Sequence, residues 1–384
     1  MATTYSPNPE IAHKPIPATM RAAVYRGIND VRVETVPVPS IAAGEVLIRV
    51  ATCGICGTDL KKIHTGSHSA PRIFGHETAG TIAAVGDGIE DFAIGDRVMV
   101  FHHVPCGDCY YCRKKTFAQC PDYKHVGCTA GFEPAGGGFA EYVHVRDWIV
   151  RHGLIKIPDG IPFEQAAFVE PVNTCLKGVK SLALAPDETV LVIGQGPIGI
   201  LLATLSARSG AKVLTSDLYP ERHAIAANYG LRNPIHAGSE DVVAAVRAAS
   251  EGRGADAVIL AVGGNSLIQT AIDAARPGGR VLLFAQTQHG SVSIDPAVIC
   301  MDEKTLMGSY SSSVAIQDEV ADLVFHGYFN GFDLTRLISH RFPLEDAVKG
   351  IEIASNPSAS SMKIFIEPGG SRAEGSQEPA ISQV

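Results

Sequence analysis

No excess of basic residues marks this chain: 32 lysines and arginines stand against 40 aspartates and glutamates, a formal net charge of −8. That balance offers no general attraction to nucleic acid or to an anionic membrane, and neither is expected as a partner. No N-terminal stretch joins basic residues to an apolar core and a small-residue cleavage site, so no secretion signal is read and a cytoplasmic setting is expected. No uninterrupted apolar run is long enough for a membrane span; the window that imitates one, Val190 to Ala207, is broken by a glycine turn. There are nine cysteines in 384 residues, too few and too clustered for the disulfide scaffold of a secreted domain. Clustered thiols in a reducing compartment point to metal instead. There is no internal repeat.

A hydrophobic content of 46% with 19% charged residues describes an ordered globule, and the length is that of two domains. Residues 1–18 are polar and proline-bearing and read as a loose segment. From Arg21, short β-branched runs alternate with glycine and proline turns: Ala22 to Tyr25, Val31 to Val36, Glu45 to Val50, Thr78 to Val85, Arg97 to Phe101 and Phe139 to Val145. That text predicts a β-rich domain. After Pro158, amphipathic helices alternate with apolar strands at Val190 to Ile193, Lys212 to Ser216, Ala257 to Ala261 and Arg280 to Ala285. The alternation predicts an α/β fold with a doubly wound parallel sheet. A strand near Thr305 to Tyr310 closes that sheet, the mixed text after it ends with Met362 to Ile366, and the tail 369–384 lacks apolar periodicity and reads as disordered.

The parallel half is organised around Thr189 to Gly199, T-V-L-V-I-G-Q-G-P-I-G. Gly194, Gly196 and Gly199 fit G-x-G-x-x-G, with Pro197 and Ile198 opening a helix whose first amides face a pyrophosphate. Alone the pattern is weak, since glycine turns between strands and helices are common. Asp217, ending the next strand about 20 residues on, strengthens it, because an acid there grips the adenosine ribose. A carboxylate at that point repels a 2′-phosphate, which favours NAD over NADP. Arg222 leaves three roles open: accepting that phosphate, stacking on the adenine, or pointing into solvent.

Two metal constellations lie in the first half. Cys106, Cys109, Cys112 and Cys120 form C-x2-C-x2-C-x7-C, and four thiolates on one loop close a tetrahedral zinc shell with no position for substrate. This site is therefore structural. The second set is dispersed: Cys56 in C-G-I-C-G-T-D with Thr58 and Asp59 behind it, His76 and Glu77 in G-H-E, and Glu170-Pro171. Singly, a buried histidine or cysteine is more often packed than ligating.

Together these motifs, in this order, resemble the zinc-dependent medium-chain dehydrogenases over about Arg21 to Pro368. The resemblance implies a GroES-like catalytic domain (19–171 and 311–368) and a Rossmann domain (172–310). Glutamate-proline at Glu170 resembles the sorbitol, xylitol and related polyol dehydrogenases. It further implies that Cys56 and His76 hold a catalytic zinc, with Glu77 or Glu170 completing the shell directly or through water. Asp59 would orient His76, and Thr58 would relay the alcohol's proton. Two zinc ions per chain, NAD, a small-molecule alcohol substrate and a homodimer or homotetramer follow as expectations.

Two departures bear on substrate. Lys61 stands where many relatives carry a histidine, with His64 further on, which leaves the outer proton relay open between these two and solvent. Tyr310-Ser311-Ser312 stands where polyol dehydrogenases read F-R-Y, which puts sorbitol itself in doubt. Lys61, Lys62, His64, His68 and Arg72 make a basic stretch that reads either as a solvated loop or as an attractor of an anionic substrate, as in threonine-type or sugar-phosphate dehydrogenases. A non-catalytic zinc- and dinucleotide-binding protein is the alternative of another class. His102 and His103 read as satisfied loop histidines, with one of them facing the cleft as the alternative, Asn173 as a pocket residue, and Cys53, Cys128, Cys175 and Cys300 as small packed side chains.

Overall fold

A computed structural model describes residues 15–125, 127–285, 290–326 and 333–369. The expectations for the two termini therefore fall mostly on residues outside that range.

The β-rich expectation holds for the first half. The strand Val46–Gly54 pairs antiparallel with Glu77–Val85 and Tyr142–Val145, and Glu77–Val85 continues to Arg97–Phe101. A separate three-stranded sheet contains Thr19–Gly27, Asp30–Pro37 and Arg72–Ile73. The chain's last strand, Lys363–Glu367, returns to this half and pairs antiparallel with Val46–Gly54, with Phe365 opposite Gly54. One expectation is corrected: the segment from Phe139 becomes a strand only over Tyr142–Val145. The Phe139 amide donates to Phe74 and its carbonyl accepts from Ala23, so its backbone is spent elsewhere.

The second half is an entirely parallel sheet of six strands: β1 (Thr189–Ile193), β2 (Lys212–Asp217), β3 (Pro234–His236), β4 (Ala255–Leu260), β5 (Ala275–Leu283) and β6 (Thr305–Gly308). Their order is β3-β2-β1-β4-β5-β6. Strand order reverses beside β1, the place where such sheets open a crevice for a dinucleotide. Buried on both faces, β1 needs its continuous apolar run. β6 ends at Gly308 rather than continuing to Tyr310, and Ser311 then turns the chain at φ +63°.

Three helices set the site: α1 (Gly57–Thr65), α2 (Val169–Ser181) and α3 (Pro197–Arg208). α2 joins the halves, because Phe168, Val172 and Cys175 share one buried cluster with Met99 and Phe101 on one side and Val190 and Leu201 on the other. A continuous core of this kind fixes the cleft geometry between the two sheets.

Candidate active site and metal centres

Cys56 caps the N-terminus of α1. Its sulfur accepts from the Thr58 amide at 3.5 Å, and the Asp59 carboxylate accepts from the Cys56 amide at 3.2 Å, a reciprocal capping box that fixes the thiol at the helix start. The other oxygen of Asp59 lies 3.0 Å from His76 Nδ1. Burial alone would raise the Asp59 carboxyl, but His76, Lys62 and the Cys56 amide outweigh it and hold the group below its ordinary value. Against its own burial, His76 is drawn well above its ordinary value by Asp59 and the Cys56 sulfur. Asp59 therefore acts on the ring of His76, orienting it as carboxylates do for ligating imidazoles.

Glu77, at the head of its strand, brings a carboxylate to the same point: the ligand atoms of Cys56, His76 and Glu77 lie within 4.8 Å of one another. Glu77 Oε1 is buried and has no hydrogen-bond partner, a state that a cation relieves. The close approach of this carboxylate explains Gly54, where a Cβ would stand 2.0 Å from Glu77 Oε2. One sulfur, one imidazole and one carboxylate are a zinc donor set with a position to spare. Glu170, on α2, stands outside that group but lines the same cavity, and burial pushes its carboxyl up to about 7. The cavity, about 630 Å³, is lined by Cys56, Thr58, His76 and Glu170 together with Ile198, Ala261 and Phe284 from the parallel half.

The four-cysteine loop also fits a metal. A zinc tetrathiolate with Zn–S of about 2.3 Å has S–S edges of about 3.8 Å. Here Cys106 and Cys112 are 3.9 Å apart and Cys109 and Cys112 3.5 Å, and all four sulfurs lie within 4.8 Å of one another.

At the dinucleotide turn, each glycine has its own reason. Gly194 takes φ +96°; a Cβ on Gly199 would lie 1.8 Å from the Gly194 carbonyl; a Cβ on Gly196 would meet nothing within 4 Å. The first two close the turn and seat α3, while the third leaves open space in front of it. Pro197 is the first residue of α3 and Ile198 faces the cavity. Asp217 accepts from the amides of Gln195 at 2.7 Å and Tyr219 at 3.0 Å, which holds its carboxylate beside the turn. Arg222 lies 3.6 Å from Asp217 and over the Tyr219 ring at 5.0 Å.

Residues 42–159 match the alcohol dehydrogenase GroES-like domain and residues 197–325 the zinc-binding dehydrogenase domain. The chain is 31% identical to a sorbitol dehydrogenase of Bombyx mori, across 90% of this chain and 97% of that protein. It is also 31% identical to an (R,R)-butanediol dehydrogenase of Neisseria gonorrhoeae, across 91% and 99%. The chain belongs to the zinc-dependent medium-chain dehydrogenases. A solved zinc-binding dehydrogenase of Sinorhizobium meliloti bound to NADP superposes with a TM-score of 0.81 at 28% identity, covering 92% of this chain and all of that one.

Several features of this medium-chain dehydrogenase escape its sequence. Lys363 is buried against Glu77 and donates to the Ile55 carbonyl at 3.0 Å. Only the pairing of the last strand with Val46–Gly54 brings it there, and a lone lysine 286 positions away carries no motif. Lys177 donates to the Tyr310 carbonyl at 2.6 Å and pins the turn at Ser311. Asn173 does not line the cavity; its side chain is bonded on both sides to the Ser313 backbone, at 2.7 and 3.1 Å. His102 is not satisfied within the loop: it lines the cavity, lies against His76 with ring centroids 4.6 Å apart and planes tilted by 40°, and its Nδ1 has no partner. Both ring nitrogens of His64 are committed, to Asn29 and Ser355. Cys300 is exposed rather than packed, because its short helix Pro296–Met301 buries no residue.

Proposed function

We propose that this protein is an NAD-dependent, zinc-dependent oxidoreductase that interconverts a secondary alcohol of the polyol type and its ketone. The observation that carries the reading is the convergence of Cys56, His76 and Glu77 in a cavity that Ile198, from the dinucleotide turn, also lines. When bound, zinc supplies Lewis acidity and the nicotinamide an acceptor for hydride. Cys56, His76 and Glu77 hold the metal, and Glu170, which lines the same cavity outside that group, would reach it only through a water or a shift of its side chain. Asp59 keeps His76 oriented. The Thr58 hydroxyl, at the cavity wall, takes the alcohol's proton onward. Asp217 supports NAD as the cofactor, since its fixed carboxylate would accept from the adenosine ribose and would repel the phosphate that NADP carries there.

The same reading divides the chain into a catalytic part (19–171 with 311–368) and a dinucleotide part (172–310). A homodimer or homotetramer fits the exposed edge strand β6, with Leu306 and Met301 open to solvent. A cytoplasmic setting fits cysteines clustered as metal ligands rather than paired in disulfides. No helix among the described residues is long and apolar enough to cross a membrane.

The test is reduction of NAD by a panel of polyols and simple secondary alcohols, with zinc content measured. Activity at two zinc ions per chain, lost together with one zinc in a folded Cys56→Ser variant, is the expected result. A wild-type protein with one zinc and no activity would return the chain to a non-catalytic role.

A further inference from the structure

The cavity that holds the metal ligands also has a cationic wall that zinc chemistry does not need. Lys61 and Lys62, half-buried on α1, line it together with His68. Past His68 and Pro134, which belong to both spaces, lies a smaller cavity of about 290 Å³ lined by Arg72 and Arg146. None of these four lysines and arginines forms an ion pair with a carboxylate among the described residues. Elsewhere half-buried cations do so, as Arg280 does with Glu188 and Arg276 with Asp256. Arg72 and Arg146 are held by neutral acceptors instead: Arg72 by the carbonyls of Ser69 and Pro134, Arg146 by that of His125. Lys62 is steadied with its ammonium 5.4 Å from the Phe74 ring centroid. Four positive groups are thus positioned without a direct carboxylate partner, Lys62 alone feeling the field of buried Asp59. Among the described residues, the acids that line the two cavities are Glu77 and Glu170 at the metal end and exposed Glu133 at the far end.

The cofactor's own phosphates do not account for this wall. Their turn, Gly194 to Gly199, contributes only Ile198 to the cavity, and Asp217 and Arg222 contribute nothing. The wall's lysines instead share α1 with Thr58 and its cap Cys56, at the metal end of the cavity.

We propose that the substrate is a polyol monophosphate. Its reacting hydroxyl lies at Cys56 and His76 and its terminal phosphate on the strip formed by Lys61, Lys62, Arg72 and Arg146. This rests on the alcohol-oxidation reading above and names the substrate class for that same site. A phosphate monoester suits the strip because it carries nearly two negative charges and three acceptor oxygens, enough to engage several donors at once. The reaction itself is unchanged: the carbinol loses a hydride to NAD and a proton to the Thr58 path, and the phosphate ester bond is neither made nor broken.

The experiment compares kcat/KM of the zinc-loaded enzyme with NAD across a series of tetritols, pentitols and hexitols, their terminal phosphate monoesters and the matching aldonic acids. The phosphate esters should exceed the neutral polyols by about tenfold or more, the scale of one or two charge-assisted hydrogen bonds. That ratio should fall as salt is raised and should drop severalfold in Lys62→Gln and in Arg146→Gln. Equal or better use of neutral polyols overturns the proposal and leaves the oxidoreductase reading standing, as does preference for the aldonic acids. Variants that lower both substrate classes by the same factor also overturn it. No turnover in any series, at two zinc ions per chain, overturns both readings.

Discussion

Lys363 and Glu77 form a buried pair at the candidate metal site, to which Glu77 itself contributes: the ammonium lies against Glu77 Oε2 and donates to the Ile55 carbonyl at 3.0 Å, with both side chains almost wholly withdrawn from solvent. The pair ties the chain's last strand to its metal centre. Removing one partner of a buried ion pair leaves the other uncompensated, at a cost of about 3–5 kcal/mol. Lys363→Met should therefore destabilise the zinc-free protein by that order in a denaturant titration, with zinc restoring part of the loss by offering Glu77 another cation. A loss below about 1 kcal/mol in the zinc-free protein would contradict a buried ion pair of this weight.

Two alanine substitutions at the dinucleotide turn should separate folding from binding. At Gly199 a methyl would overlap the Gly194 carbonyl at 1.8 Å, and backbone must shift. At Gly196 it would meet no protein atom within 4 Å and stand in the space a pyrophosphate takes. Gly199→Ala should cost about 1–3 kcal/mol of stability. Gly196→Ala should melt within a degree or two of wild type yet bind NAD at least about tenfold more weakly by calorimetry. Equal effects of the two on melting would contradict this division of labour.

Local chemistry made much of this legible from sequence. The turn at Gly194 to Gly199, the thiol spacing from Cys106 to Cys120 and the apolar run of β1 are each written in consecutive residues, so motif and structure coincide. The relation of Cys56, His76 and Glu77 was available only as a resemblance, since they meet through strand pairing rather than spacing. What escaped was decided by distant backbone. Lys363 arrives through the pairing of Phe365 with Gly54, and Asn173 is claimed by Ser313 from 140 residues away. Strand ends went astray for the same reason: Phe139 has the composition of a strand residue, but its backbone bonds go to Phe74 and Ala23. Local propensity cannot weigh such competition.

Acid stability should depend on Asp256. Its carboxylate accepts from Arg276 Nε at 2.5 Å and from the Thr189 amide at 2.8 Å, joining β4 to the start of β1. Burial opposes ionisation, but Arg276 and the amide outweigh it and lower the carboxyl below 3.8. A folded value below the unfolded one contributes stability above pH 3.8 and loses it as pH falls through the folded value. Asp256→Asn should thus cost about 1 kcal/mol near neutrality, discounted for partial exposure, with the gap to wild type closing below about pH 4. Urea midpoints measured across that range check it; a gap that widens on acidification would refute the assignment.

Cofactor choice should turn on Asp217. The amides of Gln195 and Tyr219 hold its two oxygens, so the carboxylate cannot swing away from an arriving 2′-phosphate, and Arg222 at 3.6 Å is occupied in balancing it. Asp217→Ser removes the negative charge and releases Arg222 in one step. Repulsion becomes attraction at the point where NAD and NADP differ. The ratio of kcat/KM for NAD over NADP should fall by on the order of tenfold or more, mostly through tighter NADP binding. A wild-type enzyme that already prefers NADP would place Arg222, rather than Asp217, in control of the adenosine end. An unchanged ratio in the variant would mean that neither side chain reaches the 2′ position.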